Sequence, residues 1–101
     1  LERATKWLSK LNLPIEITEN GVSDGVDIMR PEHLKRHLWM IAKLIEQGNN
    51  IKSYYHWSLM DNFEWAEGYS MRFGLYQVDY NTQTRTLRDS GKYYSQLIKN
   101  Q

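Results

Sequence analysis

Apolar residues recur along the chain at two different spacings. The first group recurs at helical spacing and comprises Leu1, Ala4, Leu8 and Leu11. This spacing predicts an amphipathic helix from the first residue to about residue 12. A run of branched apolar residues after Pro14 then predicts a short strand that ends near Glu19.

The alternation of helix and strand continues downstream. Residues 20–30 contain repeated Gly and Asp, which predicts a polar loop. Pro31 is typical of the first turn of a helix, and Gly48 predicts where that helix ends. The apolar face of this second helix comprises Leu34, Leu38, Ile41, Ala42 and Ile45. Residues 51–57 (IKSYYHW) then predict a second strand.

The remaining residues predict a long loop, a hairpin and a closing helix. The loop runs to about residue 72, and residues 73–80 alternate enough to predict a strand. A turn at residues 81–84 would lead back through residues 85–87. The apolar positions of the last helix are Tyr93, Tyr94, Leu97 and Ile98.

The order of the elements predicts an α/β fold with parallel strands and helices packed outside them. Two principal strands do not make a stable parallel sheet, because both edges stay open and both faces need cover. A complete (β/α)8 barrel takes about 250 residues. We therefore expect residues 1–101 to be the C-terminal portion of one TIM-barrel domain, with two βα units, a hairpin and no separate domain.

The composition excludes several classes of protein. Apolar residues make up 41% and charged residues 25% of the chain, which is typical of a globular protein. The net charge of +1 gives no field that would attract nucleic acid or an anionic membrane, and no apolar run has the length of a membrane span. The chain contains no cysteine, which excludes disulfides and thiolate metal sites. We expect a cytoplasmic location, since no signal-peptide pattern is visible, and a longer parent protein, since the chain opens on Leu1.

Candidate chemistry lies where the two predicted strands end. Glu19 closes the first strand just before an Asn-Gly turn, and parallel α/β folds carry their chemistry at that end of a strand. Residues 56–65 (HWSLMDNFEW) repeat the arrangement after the second strand, with a polar and aromatic loop. Together the two clusters indicate carbohydrate chemistry.

Three motifs in this order resemble glycoside hydrolase family 1, the β-glucosidases and β-galactosidases that share a (β/α)8 barrel. They are ITENG at residues 17–21, WSLMDNFEW at residues 57–65 and RFGLYQVDY at residues 72–80. The separations between the motifs match those of the family, and the resemblance runs from about Trp7 to Leu97.

The resemblance implies a role for each matching residue. Glu19 matches the nucleophile of a retaining mechanism, in which two carboxyl groups lie about 5–5.5 Å apart. Trp57 matches the aromatic platform under the sugar ring, and Phe73 matches an aromatic side chain of the same pocket, although a plain core role is the alternative for Phe73. Glu64 and Trp65 match the pair that binds the hydroxyls of the non-reducing sugar. We expect no cofactor and no metal.

The resemblance also implies that one of the two catalytic carboxyl groups is absent from this sequence. The acid/base glutamate of the family lies in a Thr-(Phe/Leu)-Asn-Glu-Pro motif, and this sequence has no such run. We therefore expect a β-glycoside substrate, the N-terminal remainder of the barrel as a partner, and no turnover by residues 1–101 alone. An acid at Glu64 would repel a phosphate, which favours neutral β-D-glycosides and leaves glucose and galactose open. A non-catalytic sugar-binding or assembly fragment is the alternative.

Several polar residues outside these motifs allow plainer interpretations. His33 and His37 have a spacing that can bind metal, but no third ligand accompanies them, so we expect a solvated surface pair. His56 should pack against the helix layer. Asp61 and Asn62 should hold their loop by local hydrogen bonds.

Glu16 is an acid inside the first predicted strand. If the strand alternates regularly, Glu16 points away from Glu19 and toward the helices. It would then need a partner or a path to solvent on that side.

Overall fold

The computed structural model describes residues 1–100. It contains the predicted helices and strands in the predicted order. They are α1 (Glu2–Leu8), β1 (Ile15–Asn20), α2 (Arg30–Glu46), β2 (Ile51–His56), β3 (Tyr76–Asp79), β4 (Thr84–Leu87) and α3 (Asp89–Lys99). Short 3-10 helices lie at Ser9–Leu11 and Trp65–Glu67. The strand predicted over residues 73–80 is shorter than expected at both ends.

β1 and β2 form a parallel pair, and α2 connects them. β3 and β4 form the predicted antiparallel hairpin, in which Tyr76 pairs with Leu87. A parallel pair needs a crossover connection, and the helix between the strands supplies one. None of the helices within residues 1–100 has the length and apolar character that crossing a bilayer requires.

The ladder between β1 and β2 is irregular where β1 ends. Ile17 pairs with Tyr54 and Asn20 pairs with His56, so β1 advances three residues while β2 advances two. One extra residue in one strand is a β-bulge, which bends the strand and redirects the side chains within it. The bulge therefore falls on the stretch that contains Glu19.

The buried apolar side chains come from β1, α2 and the region of the hairpin. They are Ile15, Ile17, Leu34, Ile41, Leu44, Leu75 and Val78. The regular alternation on which the prediction for Glu16 depends is interrupted by the bulge, and Glu16 reaches solvent between the buried Ile15 and Ile17.

The apolar faces of the helices are only partly covered. On α2, Leu34 and Ile41 of the predicted face are buried, whereas Ile45 is 48% exposed and Leu44 is buried in its place. On α1 the sole buried residue is Thr5. Open sheet edges and uncovered apolar surface are what a part of a larger barrel would have.

The loop between β1 and α2 is held by Arg30, which is fully buried. Its Nη2 donates to the backbone carbonyls of Asp24 and Arg72, both at 2.7 Å. The carboxylate of Asp24 accepts from the backbone N–H groups of Met29 and Arg30 at 2.7 and 3.0 Å. Burial alone would raise the pKa of Asp24, but these backbone hydrogen bonds and the charge of Arg30 outweigh burial and lower it.

Asp27 joins the same loop to the far end of the chain. Its carboxylate pairs with Arg30 and also accepts from the backbone N–H of Ser90 at 2.9 Å. Ser90 lies in the first turn of α3, where backbone N–H groups have no partner within the helix. A carboxylate from a distant loop therefore caps α3.

Candidate active site

A cavity of about 370 Å³ lies at the C-terminal ends of β1 and β2. It is lined by Glu19, Asn20, Gly21, Trp57, Glu64, Trp65 and Phe73. All five site residues predicted from the sequence are among them. Asn20 and Gly21 were not predicted as site residues, although they belong to the same ITENG run.

Glu19 is exposed at the mouth of β1. The bulge between Ile17 and Asn20 precedes the point where the chain leaves the sheet. Glu19 takes part in no ion pair within residues 1–100. Its carboxylate is therefore available to a ligand in the cavity.

Gly21 allows the turn after Glu19 to lie directly against Trp57. A Cβ atom at position 21 would lie 1.7 Å from the carbonyl oxygen of Trp57, so only glycine fits there. The backbone N–H of Trp57 donates to the carbonyl of Asn20 at 2.9 Å, and the peptide bond between Trp57 and Ser58 is cis. The end of β1 and the indole of Trp57 thus form one wall of the cavity.

The second wall comes from the long loop after β2. The backbone N–H of Glu64 donates to the carbonyl of Gly68 at 2.7 Å and closes a short turn. Trp65 in this turn is 81% exposed. The carbonyl of Phe73 accepts from the backbone N–H of Ser58 at 3.2 Å, which fixes Phe73 beside the start of the loop.

The buried carboxylate of Asp61 fixes this loop through hydrogen bonds to residues later in the chain. Its carboxylate accepts from both Nη atoms of Arg88 at 2.9 and 3.0 Å and from Nη1 of Arg72 at 3.3 Å. The backbone N–H groups of Gly74 and Val78 donate to it at 2.9 and 3.2 Å. Burial alone would raise the pKa of Asp61, but these hydrogen bonds outweigh burial and lower it, so the carboxylate stays charged.

The prediction of local hydrogen bonds is correct for Asn62 and wrong for Asp61. Asn62 donates from Nδ2 to Ser58 Oγ at 3.0 Å and to the carbonyl of Met60 at 2.9 Å. The partners of Asp61 lie 11 to 27 residues away in the sequence. The reason is burial, since a charge without exposed surface needs charged partners that its own turn does not supply.

His33 and His37 do not form the predicted solvated pair. Their ring centroids lie 3.9 Å apart, and both side chains are half-buried. Nδ1 of His37 lies 2.7 Å from Oδ1 of Asn20. Burial lowers the pKa of both histidines. Within residues 1–100, no cluster of three or more His, Cys, Asp or Glu side chains is placed to hold a metal ion.

His56 packs as predicted. Its ring centroid lies 6.1 Å from that of Tyr94 on α3. Neither ring nitrogen has a hydrogen-bond partner within residues 1–100, and burial lowers the pKa of His56 to about 4. The ring is therefore neutral at physiological pH and belongs to the packing between sheet and helix.

The sequence is similar to those of known glycosidases. It is 43% identical over 96 residues to the β-galactosidase of Saccharolobus solfataricus and 48% identical over 95 residues to β-glucosidase A of Thermotoga maritima. These matches cover 95% and 85% of this chain but only 20% and 21% of the relatives. The chain thus spans about a fifth of the length of these curated relatives.

Solved structures and a family model agree with these matches. A hyperthermophilic β-glucosidase from Pyrococcus furiosus superposes with a TM-score of 0.95 at 41% identity, covering 98% of this chain and 21% of that one. A β-glycosidase from Pyrococcus horikoshii gives 0.92 at 42% identity, covering 95% and 23%. Because these structures are (β/α)8 barrels, the predicted fold class of a partial barrel is confirmed. The model of glycosyl hydrolase family 1 matches residues 1–101, and the chain therefore belongs to that family.

Proposed function

We propose that residues 1–101 supply the nucleophile and the sugar-binding residues of a retaining β-glycosidase that hydrolyses terminal non-reducing β-D-glycosyl residues. The observation that carries the proposal is the cavity in which Glu19, Trp57, Glu64, Trp65 and Phe73 meet. Relatives named β-glucosidase and β-galactosidase support the class of reaction.

In this proposal Glu19 is the nucleophile. Its carboxylate attacks the anomeric carbon, and the bond to the leaving oxygen breaks as a second carboxyl group gives that oxygen a proton. Water then hydrolyses the glycosyl ester and restores Glu19. An exposed carboxylate at a strand end, without an ion pair within residues 1–100, suits this step because no internal partner has to be displaced.

The other cavity residues would bind the sugar. The indole of Trp57 and the ring of Phe73 can cover the C–H faces of a pyranose and exclude water. The carboxylate of Glu64 can accept from two hydroxyls, and the indole N–H of Trp65 can donate to one. A negative charge at Glu64 favours a neutral sugar over a phosphorylated one.

The second carboxyl group would come from another part of the polypeptide. The chain covers about a fifth of its curated relatives, and the Asn-Glu-Pro run of the family's acid/base residue does not occur in residues 1–101. The remainder of the barrel as a partner is supported by uncovered aromatic surface, for example Trp39 at 59% and Tyr55 at 58% exposed. We therefore expect residues 1–101 alone not to turn over glycosides.

A mechanism-based 2-fluoro-glycosyl inhibitor tests the role of Glu19 in the complete polypeptide. We expect a covalent adduct, located by peptide mass spectrometry on Glu19, and loss of hydrolysis in Glu19→Gln. Glu16→Gln is the matched control, because Glu16 is an exposed carboxylate on the same strand. An adduct on a different residue, or hydrolysis that survives Glu19→Gln, would contradict the proposal. Reversible sugar binding without an adduct would favour a non-catalytic sugar-binding fragment.

Assays of the isolated chain test whether the rest of the barrel is needed. With nitrophenyl β-glucoside as substrate, we expect no turnover by residues 1–101. Turnover that disappears in Glu19→Gln would show that this segment is sufficient and would overturn that part of the proposal.

A further inference from the structure

We propose that His37 and Tyr54 are positioning residues that hold Glu19 in place by binding the side chain of Asn20. The inference rests on the proposed role of Glu19 as nucleophile. It assigns a function to two side chains that lie behind the cavity, outside the set of residues that line it.

Asn20 is the most extensively bonded residue at the end of β1. Its carboxamide oxygen accepts from the hydroxyl of Tyr54 at 3.1 Å and lies 2.7 Å from Nδ1 of His37. Its backbone carbonyl accepts from the N–H of Trp57 at 2.9 Å. One residue thus connects the end of β1 to α2, to β2 and to the aromatic wall of the cavity, immediately after Glu19.

The bulge explains why such an anchor is needed. The pairing of β1 with β2 is interrupted after Ile17 and resumes at Asn20, which pairs with His56. Residues inside a bulge are not fixed by the ladder as paired residues are. The backbone of Glu19 therefore depends on the point where pairing resumes, and the side-chain contacts of Asn20 determine that point.

The two anchoring side chains are themselves held. Tyr54 packs edge to face against Tyr94, with ring centroids 6.3 Å apart. His37 lies against His33 at 3.9 Å, and burial lowers its pKa, so its ring is neutral at physiological pH. A neutral imidazole has one N–H, and the contact with Oδ1 of Asn20 requires that proton on Nδ1.

A series of variants in the complete polypeptide tests the inference. The rate of inhibitor adduct formation on Glu19, kcat and KM are measured for Asn20→Ala, His37→Leu and Tyr54→Phe. Small displacements of a reacting group reduce rates strongly, so we expect rates about 10- to 100-fold lower in the first two variants and about 3- to 10-fold lower in Tyr54→Phe. KM should change by less than about 3-fold, because the sugar-binding residues remain.

Matched variants separate hydrogen bonding from packing. His37→Asn carries an amide N–H near the position of Nδ1, and we expect it to recover most of the rate lost in His37→Leu. Tyr94→Phe removes a hydroxyl from the same aromatic layer but keeps the ring that packs against Tyr54, and Lys35→Leu is an exposed substitution on α2 two residues from His37. Both should keep rates close to that of the unaltered protein.

Two results would overturn the inference. One is a loss of rate in Lys35→Leu or Tyr94→Phe as large as in His37→Leu or Tyr54→Phe, respectively. The other is a loss of rate that follows the thermal midpoint of unfolding and is not recovered by His37→Asn. Glu19→Gln in the same series keeps the two proposals apart. If Glu19→Gln stays active, the proposed function fails. If it is inactive while the Asn20, His37 and Tyr54 variants behave like the controls, this inference alone fails.

Discussion

The carboxylates of the cavity and the carboxylate of Asp61 belong to neighbouring parts of the chain but to opposite environments. The side chain of Asp61 has no exposed surface and accepts five hydrogen bonds, three of them from arginines. Glu19 is exposed, Glu64 is half-buried, and neither takes part in an ion pair within residues 1–100. The buried carboxylate of Asp61 is thus paired with arginines of this chain, whereas the carboxylates of Glu19 and Glu64 at the cavity have no ion-pair partner within residues 1–100.

This contrast separates stability from function. Removing one partner of a buried ion pair leaves the other partner charged and dehydrated, which is strongly destabilising. Removing an exposed side chain changes stability little but can remove a contact with substrate. Substitutions in the two regions should therefore affect different measurements.

Asp61→Asn tests the buried region and has the largest expected effect on stability. The guanidinium of Arg88, whose side chain is 5% exposed, would lose its counter-charge. We expect the free energy of unfolding to fall by about 3–5 kcal/mol in urea titrations of the complete polypeptide. Glu67→Gln, an exposed substitution in the same loop, should stay within about 0.5 kcal/mol. Equal effects of the two substitutions would remove the distinction between buried and exposed acids.

Gly21→Ala tests whether the wall of the cavity is as tightly packed as the buried region. The new methyl group would meet the carbonyl oxygen of Trp57 at 1.7 Å, and the backbone would have to move. We expect a loss of stability of up to about 3 kcal/mol together with loss of hydrolysis. Gly25→Ala is the control, because its methyl group would meet Arg72 Cγ at an ordinary 3.6 Å. An active, stable Gly21→Ala would contradict this geometry.

Protonation of His56 at low pH should lower the stability of the fold, by less than the two substitutions above. Its pKa of about 4 in the folded state lies below its ordinary value of 6.5, so between these values the unfolded chain binds a proton that the folded chain does not. Its contribution to stability is complete above about pH 6.5 and is lost as the pH falls toward 4. We expect a loss on the order of 2 kcal/mol over this range, allowing for partial exposure.

This contribution is measured from the thermal midpoint of unfolding between about pH 4 and pH 6.5. The midpoints of the unaltered protein and of His56→Gln are compared. The slope of the thermal midpoint against pH should be smaller in His56→Gln. It should not vanish, because His33 and His37 also have lowered pKa values and contribute to the pH dependence. Identical slopes would mean that His56 is not buried in the neutral form.

Trp65→Ala tests the exposed region and has the smallest expected effect on stability. Trp65 is 81% exposed, so we expect the free energy of unfolding to change by no more than about 0.5 kcal/mol. We expect KM for glycosides to rise, because the cavity loses an indole N–H donor. Trp39→Ala removes an indole on α2, outside the cavity, and should leave KM unchanged. Parallel effects of both substitutions would remove the assignment of Trp65 to the sugar site.

The order of elements could be predicted from the sequence because each signal is local. Helical spacing, strand runs and turn residues lie within a few positions of one another, and α2 and β2 begin and end close to where they were expected. The bulge in β1 has no local signal in the sequence, because one extra residue in a strand can be recognised only from its pairing with the neighbouring strand, β2. The orientation predicted for Glu16 was conditional on regular alternation along β1, and the bulge between Ile17 and Asn20 removes that condition.

The cavity could be predicted because its residues belong to short motifs that follow parallel strands. Strand ends of this kind meet at one edge of a sheet, so Glu19 and Trp57 had to be neighbours. The contact between His37 and Asn20 could not be predicted, because it depends on how far α2 is rotated over the sheet. The pair of Asp61 and Arg88 was missed for a similar reason, since its members are 27 residues apart.

The capping of α3 by Asp27 has a consequence for the order in which the molecule forms. The N–H of Ser90 is bonded by a residue 63 positions earlier, and the same carboxylate pairs with Arg30 in the loop that follows Glu19. Contacts between distant positions form late, because the intervening chain must first be brought together. On a ribosome, the loop after Glu19 would therefore gain its last contact only after residues 89–99 have emerged, and a chain released before that point would carry every cavity residue but lack the contact between that loop and α3.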